Sequence, residues 1–371
     1  MRIGINCRSF TKKHSAGIGR YAFNLVKSLA TIDRDNQYEL YLRKNFFDWN
    51  RTAPKPPASN FAVRVDYFNR GPEKILQDLD VFHSPSPDDM QPGNAKLVVT
   101  IHDLIHRAFP EAHTQETKET VERQIQTVVK KAARIICCSQ STVDDLERFY
   151  DVDAEKIRLI YQGVDKEVFR PLSGDEVEQA RQRVRSKGVR EPFMLFVGTR
   201  EPRKNLKNLL KAFALLKDQH AFAGQLAVIG MRGWKMEQFE ENLRASGVGE
   251  HCVFPGYISD EELAAFYNLA EIFVFPSFYE GFGFPIVEAM SCGSAVITSN
   301  VASCAEIAQE AALTVDPADP EAIGTAMMQL LQDQNLKQDL RQKALNRAKM
   351  FSFKNTAEET LEVYQSAAES V

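Results

Sequence analysis

The chain has 371 residues, 44% of them apolar, 26% charged and 10% aromatic; at roughly 100–200 residues per domain this calls for two or three packed units and excludes wholesale disorder. Lys plus Arg (46) against Asp plus Glu (50) gives a formal charge of −4, which excludes the basic field that non-specific nucleic-acid binding requires. The six cysteines form no C-x-x-C pair, so they read as reduced, mostly buried thiols of a cytoplasmic protein rather than as a zinc ribbon or thioredoxin-type site.

From the N-terminus, residues 1–8 are too short and too polar for a signal peptide. No apolar run approaches the ~20 residues that a spanning helix needs. Short β-rich runs then alternate with longer helical patterns. Strands are predicted at 2–6, 38–42, 81–83, 96–102, 134–139 and 158–161, with a loop at Pro54-Lys55-Pro56-Pro57. A second series follows at 193–198, 225–230, 252–254, 272–276, 295–298 and 312–315. Most are continuous apolar runs, as parallel strands covered on both faces should be. Leu206, Leu209, Leu210, Phe213 and Leu216 make one helical stripe, and Asn205, Ser259 and Asp319-Pro320 mark helix starts.

This alternation predicts an α/β protein of two Rossmann-like, doubly wound parallel-sheet domains facing one interdomain cleft, with ligands at the carboxyl ends of the strands. The boundary is placed after Gln162-Gly163-Val164-Asp165, near Pro171 and before the polar stretch 173–191. The expected limits are 1–168, 169–350 and a terminal helix within 351–371.

Glu280-Gly281-Phe282-Gly283-Phe284-Pro285-Ile286-Val287-Glu288 joins a predicted strand to a predicted helix with Pro285 in its first turn. Gly281 and Gly283 permit close backbone approach, and a helix start suits a phosphate. Glu280 and Glu288 are expected to face one pocket. The plainer reading is a glycine loop with acids well placed near a helix N-terminus. Arg200-Glu201-Pro202-Arg203-Lys204-Asn205 is a second strand-to-helix junction. There Asn205 is expected to cap the helix, leaving Arg203 and Lys204 as a metal-free diphosphate clamp or as a solvated surface pair.

Gly17-Ile18-Gly19-Arg20-Tyr21-Ala22 spells G-x-G-x-x-A, but the long loop after strand 2–6 disfavours a dinucleotide site and a dehydrogenase. A glycine loop opening a helix over 21–29 fits better. Thr100-Ile101-His102-Asp103 ends a strand with a polar pair, and His83 has a similar placement. His14, His106, His113, His220, His251, Trp49 and Trp234 carry no comparable signal. In the D-x-D run Asp151-Val152-Asp153, Asp153 reads as a helix cap. A helix over 116–133 sets Arg123, Lys130 and Lys131 beside Val121, Ile125, Val128 and Val129. Such a face can touch an anionic membrane, but Glu116, Glu119 and Glu122 dilute its charge and favour ordinary packing.

Together these segments resemble the retaining GT-B-fold glycosyltransferases of family 4, which include many bacterial mannosyl- and glucosyltransferases. The most specific part is the E-x7-E pair Glu280 and Glu288 behind Phe278-Tyr279. The segments at Gly17–Tyr21, Thr100–Asp103, Glu201–Asn205 and Ser299-Asn300 support it. Ser303-Cys304-Ala305-Glu306 departs from the family pattern, which often has proline where Ala305 stands.

The resemblance implies a donor-diphosphate clamp of Arg203 and Lys204, with no metal and no cofactor. It implies Glu288 on the nucleotide ribose, Glu280 on the transferred sugar's hydroxyls, and Gly281, Phe282 and Gly283 lining the donor pocket. His102 would sit against the donor sugar near the reacting carbon, and Gly17 and Gly19 near the diphosphate or acceptor. The implied reaction moves a hexose, at best mannose from GDP-mannose, from a nucleotide sugar to a glycan or lipid-linked acceptor of the cell envelope. The expected location is cytoplasmic, with peripheral contact at the inner membrane face left open. A GT-B sugar-nucleotide epimerase and a non-catalytic nucleotide-sugar-binding protein are the alternatives.

Overall fold

The computed structural model describes residues 1–11, 17–44, 54–88, 90, 93–112, 114–219, 221–233 and 236–370; His14, Trp49, His113, His220 and Trp234 lie outside these. The chain divides into two units, Met1–Gly163 with Ser352–Val371, and Val164–Phe351. The division falls inside the run Gln162-Gly163-Val164-Asp165.

The first unit holds strands β1 (Arg2–Asn6), β2 (Gln37–Arg43), β3 (Phe61–Asp66), β4 (Val81–Ser84), β5 (Lys96–Ile101), β6 (Arg134–Cys137) and β7 (Ile157–Leu159). They form one sheet in the order β3-β2-β1-β4-β5-β6-β7, and each neighbouring pair is parallel. The order reverses between β1 and β4, which makes that pair the topological switch point. β1 has Ile3 set between Tyr38 and Val81.

Helix Phe353–Ala368 packs on helix Ile18–Ile32 and puts Phe353, Ala357, Val363, Tyr364 and Ala367 into the core with Ile3, Ile5, Leu25 and Leu29. Each fully buried large apolar side chain contributes about 1.5–3 kcal/mol, so the chain's last helix is part of the first unit's core. A buried polar line runs through that packing. His83 Nδ1 meets Tyr364 OH at 2.7 Å, His83 Nε2 meets Thr100 Oγ1 at 2.9 Å, and Thr100 meets Tyr21 OH at 3.3 Å. His83 is therefore an interior joint of β4, β5 and the last helix rather than a counterpart of His102.

The second unit holds β8 (Phe193–Val197), β9 (Gln225–Ile229), β10 (Cys252–Gly256), β11 (Ile272–Phe275), β12 (Val296–Ser299) and β13 (Leu313–Val315). Their order is β10-β9-β8-β11-β12-β13, again all parallel. Here the reversal lies between β8 and β11. The helix Leu206–Asp218 buries the expected stripe of Leu206, Leu209, Leu210, Phe213 and Leu216. Ser259 forms a full capping box with Glu262, and Asp319 and Asp153 cap their helices through their carboxylates.

Several expectations are corrected. β3 was not expected; it is an edge strand with partly exposed residues between Phe61 and Asp66. Helix Asp175–Ser186 occupies the stretch read as merely polar, because only Ala180 and Val184 are buried along it. The helix expected over 21–29 begins at Ile18, so Gly19 is a buried residue inside its first turn. The amphipathic helix runs Gln115–Lys131 and buries Ile125, Val128 and Val129. All six cysteines are free thiols, five of them buried and Cys252 half-buried. Among the described residues, no helix is long and apolar enough to cross a membrane.

Candidate active site

In the second unit the chemistry gathers at the carboxyl ends of β8 and β11, where an open α/β sheet binds its ligands. After β8 the chain makes a 3-10 turn, Pro202–Lys204, and enters helix Leu206–Asp218. After β11, Pro276–Gly283 leads into helix Phe284–Ser291 with Pro285 in its first turn. The two loops are stitched together. Phe278 N–H donates to the Arg203 carbonyl at 2.9 Å. Asn205 Nδ2 donates to the carbonyls of Pro276 (2.9 Å) and Pro317 (2.6 Å). Asn205 thus stands at the helix's N-terminal cap position without capping it. Its left-handed backbone (φ 60°) aims the amide at the neighbouring loops instead.

That stitching brings two cations onto one carboxylate across 76 residues of chain. Lys204 Nζ lies 2.6 Å from Glu280 Oε1, and an Arg203 guanidinium nitrogen lies 2.7 Å from Glu280 Oε2. Arg203 also donates to Glu201 at 2.6 Å and to the Tyr279 carbonyl at 2.8 Å. Ser277 Oγ donates to Glu280 Oε1 at 2.6 Å, and Ser303 Oγ to the Glu280 carbonyl at 2.9 Å. The Lys204 ammonium also sits 5.0 Å from the Phe275 ring centroid. Lys204 and Glu280 are 9% and 7% exposed, so this is a buried ion cluster rather than a solvated surface. Burial alone would raise the Glu280 carboxyl, but Lys204 and then Arg203 reverse that and hold it at about 2. Burial pushes the Lys204 ammonium down against the pull of Glu280.

Glu288 has a different partner. It is buried in helix Phe284–Ser291, and Tyr267 OH donates to its Oε2 at 3.0 Å. The two glutamates thus end on separate hydrogen-bond partners. Gly283 adopts φ 95°, a left-handed conformation that glycine tolerates, and a Cβ there would come within 3.1 Å of Ile286 Cδ1. Gly281 is buried, and Phe282 is buried edge-on to Phe284 and Phe351.

In the first unit, His102 follows β5 and both its ring nitrogens are engaged. Nε2 is 2.7 Å from the Pro85 carbonyl, and Nδ1 is 2.7 Å from Gln162 Nε2. The ring lies edge-on to Tyr21 at 5.0 Å, and Cys138 Sγ donates to the His102 carbonyl at 3.0 Å. Burial pushes the imidazole down from the usual histidine range, against the Pro85 carbonyl and Asp103, which favour the cation. Gly17 precedes helix Ile18–Ile32 with φ 60°, and no atom of the described residues apart from its chain neighbours lies within 4 Å of where a Cβ would stand.

A family profile described as "Glycosyl transferases group 1" matches residues 178–347, and one described as "Glycosyltransferase Family 4" matches residues 15–168. The chain is 31% identical over 374 residues to O-antigen chain mannosyltransferase B of Escherichia coli, an alignment covering 94% of this chain and 96% of that protein. The chain belongs to the GT-B glycosyltransferases. Its fold is also that of sucrose-phosphate synthase from Thermosynechococcus elongatus (TM-score 0.79, 23% identity, 98% of each chain). The same holds for Anabaena HepE in complex with UDP and glucose (TM-score 0.75, 17% identity, 99% of this chain and 100% of that one).

This chain is therefore a glycosyltransferase by its family. Of the residues singled out in its sequence, Arg203, Lys204 and Glu280 converge in direct contact, while Glu288 accepts a hydrogen bond from Tyr267. Sequence reasoning gave no role to Ser277, Ser303, Tyr267 and Gln162, which hold those side chains in place, although Ser303 lies in the segment set against the family pattern and Ser277 and Gln162 stand just beyond predicted strands. Among the described residues of the glycosyltransferase, no group of three or more His, Cys, Asp or Glu side chains is placed to hold a metal ion.

Proposed function

We propose that the protein transfers mannose from GDP-mannose, with retention of configuration, to a glycan or lipid-linked acceptor. The observation that carries this reading is the buried cluster of Arg203, Lys204 and Glu280 at the β8–β11 switch point. In this reading the donor diphosphate takes over the two cations, and Glu280, released from them, turns to the hydroxyls of the transferred sugar. Glu288 holds the nucleotide ribose, and Gly281, Phe282 and Gly283 line the donor pocket. His102 meets the transferred sugar, and Gly17 and Gly19 lie near the diphosphate or acceptor. The first unit serves the acceptor and the second the donor.

As the bond to the diphosphate breaks, negative charge grows on the leaving oxygens, and Arg203 and Lys204 stabilise it there without a metal. A two-step route needs a carboxylate nucleophile at the anomeric carbon. Glu280 is already committed to cations and then to hydroxyls, so we favour departure and attack on the same face of the sugar. The choice of mannose draws on the likeness to the E. coli O-antigen mannosyltransferase. The HepE structure contains UDP and glucose, so a UDP-hexose is the competing donor. A peripheral contact at the inner membrane face would have to use a surface other than the packed face of helix Gln115–Lys131.

A thermal-shift screen of UDP-, GDP-, ADP- and dTDP-sugars against wild type and Glu288→Ala tests the donor site. A ligand at 100 times its Kd stabilises by about 2.7 kcal/mol, and stabilisation of wild type by none of them would remove the donor-site reading. NMR of the product's anomeric centre decides retention, and a trapped glycosyl–enzyme adduct would exclude same-face attack. Conversion of the donor alone into an isomer would make the protein an epimerase.

A further inference from the structure

We infer that Gln162 is a positioning residue for His102, fixing it during sugar transfer as the neutral Nε2–H tautomer in one ring orientation. The inference rests on the proposed placement of His102 beside the transferred sugar. Gln162 lies three residues beyond β7 and is 1% exposed, in the run that marks the division between the units. The argument is one of donors and acceptors. The Pro85 carbonyl can only accept, so the proton on His102 belongs on Nε2, which donates to it across 2.7 Å. In a neutral ring Nδ1 is then a lone pair, and it needs the donor that Gln162 Nε2 places 2.7 Å away.

Protonating Nδ1 would set two donors against each other. The amide would have to turn over, putting its carbonyl oxygen on Nδ1 and its NH2 where Oε1 now lies. Oε1 is buried there with no donor among the described residues, and turning the amide over would break the bond it now makes to His102 through Nε2. That reorganisation of a buried group is how Gln162 opposes the imidazolium.

The other groups around the ring bear on the same balance. Tyr21 presents its ring edge-on from helix Ile18–Ile32, and its hydroxyl is directed to Thr100. His83 in β4 is buried and held neutral, and the Cys138 thiol after β6 is pushed up by burial and stays protonated. Asp103 and the Pro85 carbonyl favour the cation. Gln162 is the side chain in contact with the ring that selects against it. The chemistry gives this a purpose. Glycosyl transfer passes through an oxocarbenium-like, positively charged sugar, and an imidazolium beside it would repel that charge.

The test uses full-length protein labelled with 13C and 15N at histidine, with His102 assigned by the resonance lost in His102→Gln. In wild type, His102 should show the Nε2–H pattern at neutral pH and titrate only below the usual histidine range. Gln162→Glu keeps the shape but offers Nδ1 an acceptor, so His102 should become protonated within that range. Its kcat should fall about tenfold or more below the new pKa and recover above it, with donor KM within about twofold. Gln162→Met removes the amide without adding charge; with the Pro85 carbonyl still holding the Nε2–H form, His102 should titrate at a higher pH than in wild type, with a smaller loss of kcat than Gln162→Glu. An unchanged His102 spectrum and titration in both variants would overturn the inference. A shifted titration with an unchanged kcat profile would leave the hydrogen bond standing and remove His102 from the transferred sugar instead.

Discussion

Replacing Glu280 by glutamine keeps the shape of the side chain and removes the charge that Lys204 and Arg203 share. A carboxyl held at about 2 against an ordinary 4.5 corresponds to about 3 kcal/mol, at ~1.4 kcal/mol per pKa unit. The sign follows from linkage. Because the folded value is depressed, this contribution is fully present above pH 4.5 and is lost as pH falls towards about 2. In Glu280→Gln, Arg203 keeps Glu201, whereas Lys204, among the described residues, keeps the face of Phe275 and the more distant charge of Glu201. Breaking a buried pair by removing one partner costs about 3–5 kcal/mol. The second figure includes the stranded cation, and the two agree in scale. We expect Glu280→Gln to lose about 3 kcal/mol near neutral pH. Urea denaturation followed by circular dichroism, from neutral pH down to about pH 3, should show a steeper slope in wild type than in the variant, which keeps the other depressed carboxylates such as Glu122. Lys204→Met combined with Glu280→Gln should be less damaging than the sum of the single changes by about 1–3 kcal/mol. A Glu280→Gln protein within about 0.5 kcal/mol of wild type, with a parallel pH slope, would refute the reasoning.

Burial pushes His83 down to about 3 from its ordinary 6.5, so the neutral imidazole's contribution is full above pH 6.5 and is lost as pH falls towards 3. Tyr364→Phe should cost a further ~1–3 kcal/mol by removing the partner of His83 Nδ1, read from denaturation midpoints at neutral pH. At Asn205, exchange to aspartate places a carboxylate against the Pro276 and Pro317 carbonyls. Asn205→Asp should therefore lower the melting temperature more than Asn205→Gly, which loses the two bonds but keeps the left-handed backbone; the reverse order in a melting series would exclude this account.

The strand pattern was legible because a parallel strand covered on both faces is apolar at nearly every position, as Phe193–Val197 and Ile272–Phe275 are. β3 was not, because an edge strand with Arg64 turned towards Glu39 and part of its surface exposed reads like a loop. Helix Asp175–Ser186 buries so few residues that its stripe fades among charges. At the site, the glycine and proline punctuation around Gly283 and Pro285 placed the helix start from local chemistry alone. The pairing of Glu280 with Lys204 could not be read that way. It depends on β8 lying beside β11 although β9 and β10 intervene in the chain. The contact of His102 with Gln162 has the same origin, since it joins the end of β5 to the segment after β7.

The ion cluster also changes what the clamp must be. Glu201 and Glu280 already balance Arg203 and Lys204, two charges against two, so the local positive charge that a diphosphate needs is held internally, within a chain of net charge −4. On the proposed placement of the diphosphate, donor binding is an exchange of anions, with Glu280 giving up the cations as the diphosphate arrives. The desolvation of Lys204 is borne in folding rather than in binding, which favours a preorganised site at the moment charge develops on the leaving group. If Glu280 competes with the diphosphate in this way, Glu280→Gln should bind a free nucleoside diphosphate at least as tightly as wild type, while its turnover falls because the sugar hydroxyls lose their partner. Calorimetric titration with GDP and UDP measures the first and initial rates measure the second. A variant that loses diphosphate affinity in step with turnover would mean that Glu280 orients the cations for the ligand rather than holding them in its absence.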